Sequence, residues 1–266
     1  MGHEISPETM IKLPVIADPT CIPSPPLSIP SSSNSTLELI ERSFYYLAMA
    51  RTTGSDGERT RSAIDTAAKR LIARVGYEAM SMRQLADEVG VQSAAFYRYY
   101  PNKQELLFSV MRNHMDCVLS AWDAENGKGQ TALKRLSTFI RFHIRFHVER
   151  RDDVHIANME LRSLNPENRA IIVELRARYE NSLRDILDDG VDAREFAIDD
   201  IALTTRAIIA MITGVTAWFK PGDRLSVDQV AEKYVSMGLR LVGAKNIATT
   251  KAGGQNVSVG PKIRTL

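Results

Sequence analysis

Residues 81–104, SMRQLADEVGVQSAAFYRYYPNKQ, decide the fold. Ser81 is a good helix N-cap, and Gln84 three residues on completes a capping box. Leu85, Ala86 and Val89 give the first short helix one inward face at helical spacing. Gly90 takes a positive φ at no steric cost, which suits a tight turn, and Val91 returns the chain to the core. A second helix is expected from about Gln92 to Tyr99, with Phe96 and Tyr99 on its inner side. The small Ala86 lies where the two helices must cross closely. Pro101 ends the second helix, because the residue before proline avoids the α region. Asn102 then caps a third helix, with Glu105 three residues later. This is a helix-turn-helix leading into another helix.

The outward residues of its second helix are Gln92, Ser93, Ala94, Tyr97 and Arg98. Gln reads adenine and Arg reads guanine in bidentate fashion, while Ala touches a thymine methyl. Tyrosine hydroxyls, Ser and Lys reach phosphates and set the register. The expected DNA-contacting set is Ser81, Met82, Arg83, Gln92, Ser93, Ala94, Tyr97, Arg98, Tyr99 and Lys103. The competing reading is a plain helical hairpin with a polar face, since such hairpins are common.

The preceding segment decides between them. In residues 58–80, ERTRSAIDTAAKRLIARVGYEAM, the positions Ile64, Ala67, Ala68, Leu71, Ile72 and Val75 share one helix face, and Gly76 closes the helix. Residues 60–108 as a whole resemble the N-terminal domain of TetR-type regulators. The resemblance is carried by Ala67 to Leu71, Gly76-Tyr77, Ser81-Met82, Leu85-Ala86 and Val89-Gly90-Val91. Its most specific part is Phe96-Tyr97-Arg98-Tyr99-Tyr100-Pro101-Asn102-Lys103, followed by Leu106-Leu107. It covers about a fifth of the chain. Tyr99 stands where the family commonly has His. The resemblance implies an all-α homodimer: a three-helix DNA-binding headpiece with its helix-turn-helix, and a larger helical ligand-binding and dimerisation domain.

Charge is distributed to match. Residues 59–103 carry eight Lys or Arg against four Asp or Glu, net +4, while residues 152–200 carry six Arg against thirteen acids, net −7. A basic headpiece attracts phosphate, and an acidic body avoids sticking along the duplex. The overall charge of +2 hides this reversal.

At 266 residues and 44% apolar content the chain can bury a sizeable core. Cys21 and Cys117 are its only cysteines. No disulfide framework is implied, which suits a bacterial cytoplasm. No basic region precedes an apolar run at the start, so no secretory signal is expected. Residues 1–57 read as a disordered or extended segment, with six of the eleven prolines between 14 and 36. A short helix over 36–50 is expected within it, with Leu37, Ile40, Phe44 and Leu47 on one face. Residues 1–58 are net −4 and do not suit a minor-groove arm. The alternative is a misassigned start, with the domain opening near residue 50. The headpiece is then 58–103, the effector-binding and dimerisation domain 104–244, and a mobile tail 245–266.

Every periodic stretch of the body is helical. Residues 103–122 continue from the headpiece, and their tilt is suited to carrying a signal. Residues 131–149 follow, with Leu136, Ile140, His143 and His147 on the buried face. The His143/His147 spacing is that of a chelate, but no rest of a metal site is apparent, so no metal is expected. The alternatives are core histidines or contacts to a polar effector group. The expected effector residues are Phe142, His143, His147, Glu160, Arg178 and Trp218. Residues 201–219, IALTTRAIIAMITGVTAWF, approach membrane-spanning length but carry Arg206 and four Thr, so no membrane span is expected. A helix apolar on all sides lies deep in a core or against a partner. Ser226 and Gln229 open a last helix by a capping box. The expected dimer residues are Ile208, Met211, Ile212, Val215, Tyr234, Gly238 and Leu241.

A ligand-responsive repressor is the leading reading. No nucleophile elbow or Gly-rich phosphate loop appears, so no catalytic residues and no enzyme are expected. The expected partners are a double-stranded palindromic operator, a second copy of the chain and a small-molecule effector, with no resident cofactor. Segments 160–169, 175–183 and 214–226 resemble a TetR-type subgroup that responds to coenzyme A thioesters of fatty-acid or steroid catabolism. The rivals are a repressor of an efflux gene responding to an aromatic compound, and an interaction module with no specific operator. Salt-dependent, sequence-specific binding to DNA beside its own gene separates the last of these.

Overall fold

The computed structural model describes residues 56–245 except Lys128. The expectations for the N-terminal segment, its helix over 36–50 and the tail after 245 lie outside the described residues. Ten α-helices and one 3-10 turn are described, and no strand is found among the described residues. In chain order the helices are α1 (Asp56–Val75), α2 (Met82–Val89), α3 (Ser93–Phe96), α4 (Lys103–Glu125) and α5 (Ala132–Glu149). They continue with α6 (Arg151–Met159), α7 (Pro166–Asp192), α8 (Ile201–Thr213), α9 (Val215–Trp218) and α10 (Val227–Leu241). The 3-10 turn Leu161–Ser163 joins α6 to α7.

The expected stop and start signals operate. Gly76 and Gly90 follow α1 and α2 with φ of 82° and 76°, a region that side-chain-bearing residues avoid. Ser81 and Gln84 close a reciprocal capping box at 3.0 and 3.1 Å. Asn102 accepts from the Glu105 N–H at 2.8 Å, and Pro166 stands at the first position of α7 behind its cap, Asn165. The Ser226/Gln229 box opens α10.

In the headpiece, α1 to α3 close over Ile64, Ala68, Ile72, Leu85, Ala86 and Phe96, all fully or nearly fully buried. Tyr100 is buried beside them and donates its hydroxyl hydrogen bond to Asp65. Burial and the neighbouring Asp65 carboxylate push that phenol up to about 12. In the body, α10 lies along α5, and α4, α5, α7 and α8 surround a core containing Trp122, Phe139, Ile140, Leu183 and Ile212.

Several boundaries and burials differ from the sequence expectation. The second helix of the motif is one turn, Ser93–Phe96, and residues 97–99 form a turn, because Pro101 removes the α conformation early. The apolar stretch 201–219 is two helices parted at Gly214. Cys117 is buried on α4, and the expectation about disulfides turns on Cys21, which lies outside the described residues.

Candidate nucleic-acid interface and effector core

Residues Gln92, Ser93, Ala94, Tyr97 and Arg98 form an exposed face on and just after α3, with Ser81 and Arg83 exposed at the start of α2. Phe96 anchors that face from beneath and is fully buried. Three of the expected contact residues stand differently. Met82 is 9% exposed and belongs to the headpiece core, because the first helical position after the cap points inward here. Tyr99 is half-buried. Lys103 donates to the Glu78 carbonyl at 3.0 Å and sits over the Tyr77 ring, tying α4 to the α1–α2 turn.

Arg98 and Gln92 are exposed, so replacing either is expected to leave the fold intact. Arg98→Ala is expected to lower affinity for the preferred operator by about 1–3 kcal/mol and to flatten preference at one base position. Tyr97→Phe is expected to weaken all sequences alike. Competition binding against a set of singly substituted operators checks this, and unchanged preference in Arg98→Ala contradicts it.

Behind the headpiece, three histidines cluster in the body. The His143 and His147 rings stack at 3.9 Å, and His114 meets His147 edge-on at 5.7 Å. His143 uses both nitrogens, Nδ1 with the Tyr179 hydroxyl at 3.2 Å and Nε2 with Thr213 Oγ1 at 3.0 Å. His147 Nδ1 contacts the His143 carbonyl at 2.9 Å. Burial is the main cause that lowers all three, His114 and His147 to about 3. They are therefore neutral at physiological pH. Their rings stack instead of converging on one point, and the described residues hold no group of three or more metal-ligating side chains suited to an ion.

Phe142 joins this cluster through Trp122 and Phe146, with ring centroids 5.5 and 5.4 Å away. Trp122 is 1% exposed, and its Nε1–H has no hydrogen-bond partner. Of the six expected effector residues, Phe142, His143 and His147 thus lie together. The other three do not join them. Arg178 is exposed on α7 and Trp218 is half-exposed on α9. Glu160 is a strut: it accepts from the Tyr77 backbone N–H at 3.0 Å and from the Ser163 hydroxyl at 2.8 Å. Gln104, which sequence reasoning missed, completes the same junction. Its amide donates to the Tyr77 hydroxyl at 2.9 Å and accepts from the Asn165 N–H at 2.9 Å. No local pattern marks a glutamine for such a task.

The expected dimer residues also divide. Ile208, Ile212 and Val215 are fully buried within this chain, and a Cβ at Gly238 would stand 2.5 Å from Ile140 Cδ1. These four pack α8 to α10 onto the body itself. Left exposed on α8, α9 and α10 are Leu203 at 64%, Trp218 at 49%, Met237 at 43% and Leu241 at 50%. Met211 and Tyr234 are half-buried.

A reading helix set on a helical body is the plan of a DNA-binding regulator, and known proteins share it. Residues 64–110 match the family described as bacterial regulatory proteins, tetR family, and residues 129–242 match the tetracyclin repressor-like C-terminal domain. The HTH-type transcriptional repressor KstR2 of Mycolicibacterium smegmatis is 26% identical over 193 residues, 72% of this chain and 94% of that protein. The crystal structure of the TetR family transcriptional regulator PfmR from Thermus thermophilus is 30% identical with a TM-score of 0.62, covering 66% of this chain and 97% of that one. The structure of AibR in complex with isovaleryl coenzyme A and operator DNA is 29% identical with a TM-score of 0.60, covering 67% and 97%. The chain belongs to the TetR family of bacterial regulatory proteins. It is a DNA-binding transcriptional regulator of the repressor type and not an enzyme.

Proposed function

We propose that the chain acts in the bacterial cytoplasm as a homodimeric repressor, released from a palindromic operator by an acyl coenzyme A thioester. The observation that carries this reading is the pairing of the exposed α3 face with an aromatic body interior, on a fold shared with a regulator that holds isovaleryl coenzyme A and operator DNA. The interior rings of Trp122, Phe139, Phe142 and Phe146 suit an apolar acyl group. The unpartnered Trp122 N–H and the His143–Tyr179–Thr213 chain supply polar contacts for a thioester end. Two half-sites about one helical turn apart require two reading helices, and the exposed face of α8–α10 supplies the place where two chains meet.

Release requires the ligand to favour the DNA-incompetent conformation, since equal affinity for both shifts nothing. Helix α4 runs from the headpiece through the aromatic interior to Glu125, so displacement of its Trp122 end is transmitted to the Lys103 end. The test is fluorescence anisotropy of labelled upstream DNA with the protein, titrated with acyl-CoAs, free acids and aromatic drugs. Acyl-CoAs are expected to release the DNA at concentrations that leave free acids inactive. Release by an aromatic drug alone moves the chain to an efflux-type regulator and overturns the acyl-CoA assignment.

A further inference from the structure

Tyr77, buried in the turn between α1 and α2, is held from two sides. Its backbone N–H donates to the Glu160 carboxylate at 3.0 Å, and its hydroxyl oxygen accepts from the Gln104 amide at 2.9 Å. Glu160 stands at the C-terminus of α6 and Gln104 in the first turn of α4. Both are themselves fixed. The second Glu160 oxygen accepts from the Ser163 hydroxyl at 2.8 Å. The Gln104 amide also donates to the Ser163 carbonyl at 2.6 Å, and its oxygen accepts from the Asn165 N–H at 2.9 Å. The Asn165 side chain in turn caps α7. One headpiece residue is thus tied to the corner where α6 passes into α7.

Apolar surfaces can slide on one another, whereas a hydrogen bond weakens steeply once its angle falls below about 120°. The ties at Tyr77 therefore fix angle as well as contact. Lys69, about two turns earlier on α1, pairs with Asp153 of α6 at 2.8 Å. Attachment at two points along its length fixes the direction of α1. Helix α2 packs on α1 and α3 packs on α2. The direction of α1 therefore sets where the α3 face points.

We propose that Glu160 and Gln104 are positioning residues for operator reading: by holding Tyr77 to the α6–α7 corner they set the direction of the headpiece, and so the half-site spacing the protein accepts. Both act through Tyr77 and not on the DNA. This rests on the homodimeric reading above, because spacing has meaning only for two headpieces. Linked reading helices gain affinity where both half-sites are reached together, and a loosened link spreads that gain over several spacings.

The test uses DNA selected by the wild-type protein from a random pool. Fluorescence anisotropy then compares single half-sites, the full palindrome, and palindromes with one or two base pairs added or removed at the centre. Wild-type protein is expected to favour one spacing sharply. Glu160→Ala and Gln104→Ala are each expected to bind the palindrome about tenfold more weakly while keeping the affinity for a single half-site. Both are also expected to narrow the ratio between the best spacing and its neighbours, which lowered stability alone does not do. Glu160→Gln is expected to restore the wild-type ratio, because its amide oxygen accepts from the Tyr77 N–H and its NH2 donates to the Ser163 hydroxyl. Tyr77→Phe keeps the buried ring and removes the hydroxyl alone, so it decides the matter where a thermal transition shows an alanine variant to be unfolded. A wild-type spacing ratio in all the folded variants other than Glu160→Gln overturns the proposal. Equal losses on half-sites and palindromes, the mark of a damaged headpiece, also overturn it. Selection of single half-sites by the wild-type protein, with no gain from a second, fails the homodimeric reading itself, and the proposal falls with it.

Discussion

Lowering the pH from 7 to 5 is expected to destabilise the fold through His114 and His147, by on the order of 2 kcal/mol for either one alone. Both are lowered to about 3, by burial first, then for His114 by Lys69 and for His147 by repulsion between its charged form and that of His114. A group lowered in the folded state binds protons more weakly there than in the unfolded chain. Below pH 6.5 the unfolded chain takes up protons that the fold excludes, so stability is full above that value and is lost as pH falls towards 3. Each fully buried histidine contributes about 2 kcal/mol of loss at pH 5, and His143 adds in the same direction. Urea unfolding between pH 7 and 5 measures the slope, a window in which ordinary carboxylates change little. His114→Phe and His147→Phe are each expected to flatten it, whatever they do to stability at pH 7. A slope unchanged in both variants contradicts the buried neutral cluster.

Replacing Leu203 and Leu241 together by glutamate is expected to give a folded monomer at micromolar concentration. Both side chains are half or more exposed in the single chain, so the fold itself tolerates the charges. In an apolar interface an uncompensated buried charge costs about 3–5 kcal/mol, or roughly a hundredfold to several-thousandfold in association, and the double variant carries two. Operator binding then falls with the dimer, because one headpiece reads one half-site. Ile212→Glu and Gly238→Arg serve as contrasts. They place a charge within the subunit's own core, so they are expected to lower the thermal transition instead of leaving a stable monomer. Sedimentation and thermal unfolding on the same samples separate the two cases. A wild-type monomer, or a double variant that stays dimeric, contradicts the assigned face.

The headpiece was legible because each of its turns is written in local chemistry. Ser81 with Gln84 and Gly90 act over three or four residues as read, while the helix before Pro101 stops at Phe96, a turn sooner than its sequence suggested. Burial around a helix was less legible. Residues 201–219 are apolar on all sides, so periodicity could not say which side met the body and which met solvent. Ile208 and Ile212 went inward and Leu203 outward through contacts with α5 and α7. The junction residues were illegible for another reason. Glu160 meets Tyr77 across 83 positions and Gln104 meets Ser163 across 59, and neither leaves a periodic trace. His143 and His147 were recognised as a pair, but the third ring, His114, comes from α4 and appears only once the helices pack.

Operator reading by the α3 face can be seen by nuclease footprinting on the DNA upstream of the gene. Wild-type protein is expected to protect a palindrome whose half-sites lie about one helical turn apart, with binding that weakens steeply as salt is raised. Arg98→Ala is expected to lose that footprint under the same conditions while keeping the wild-type thermal transition. An unprotected upstream region, or a footprint that Arg98→Ala and Gln92→Ala both leave intact, rules out operator reading by α3.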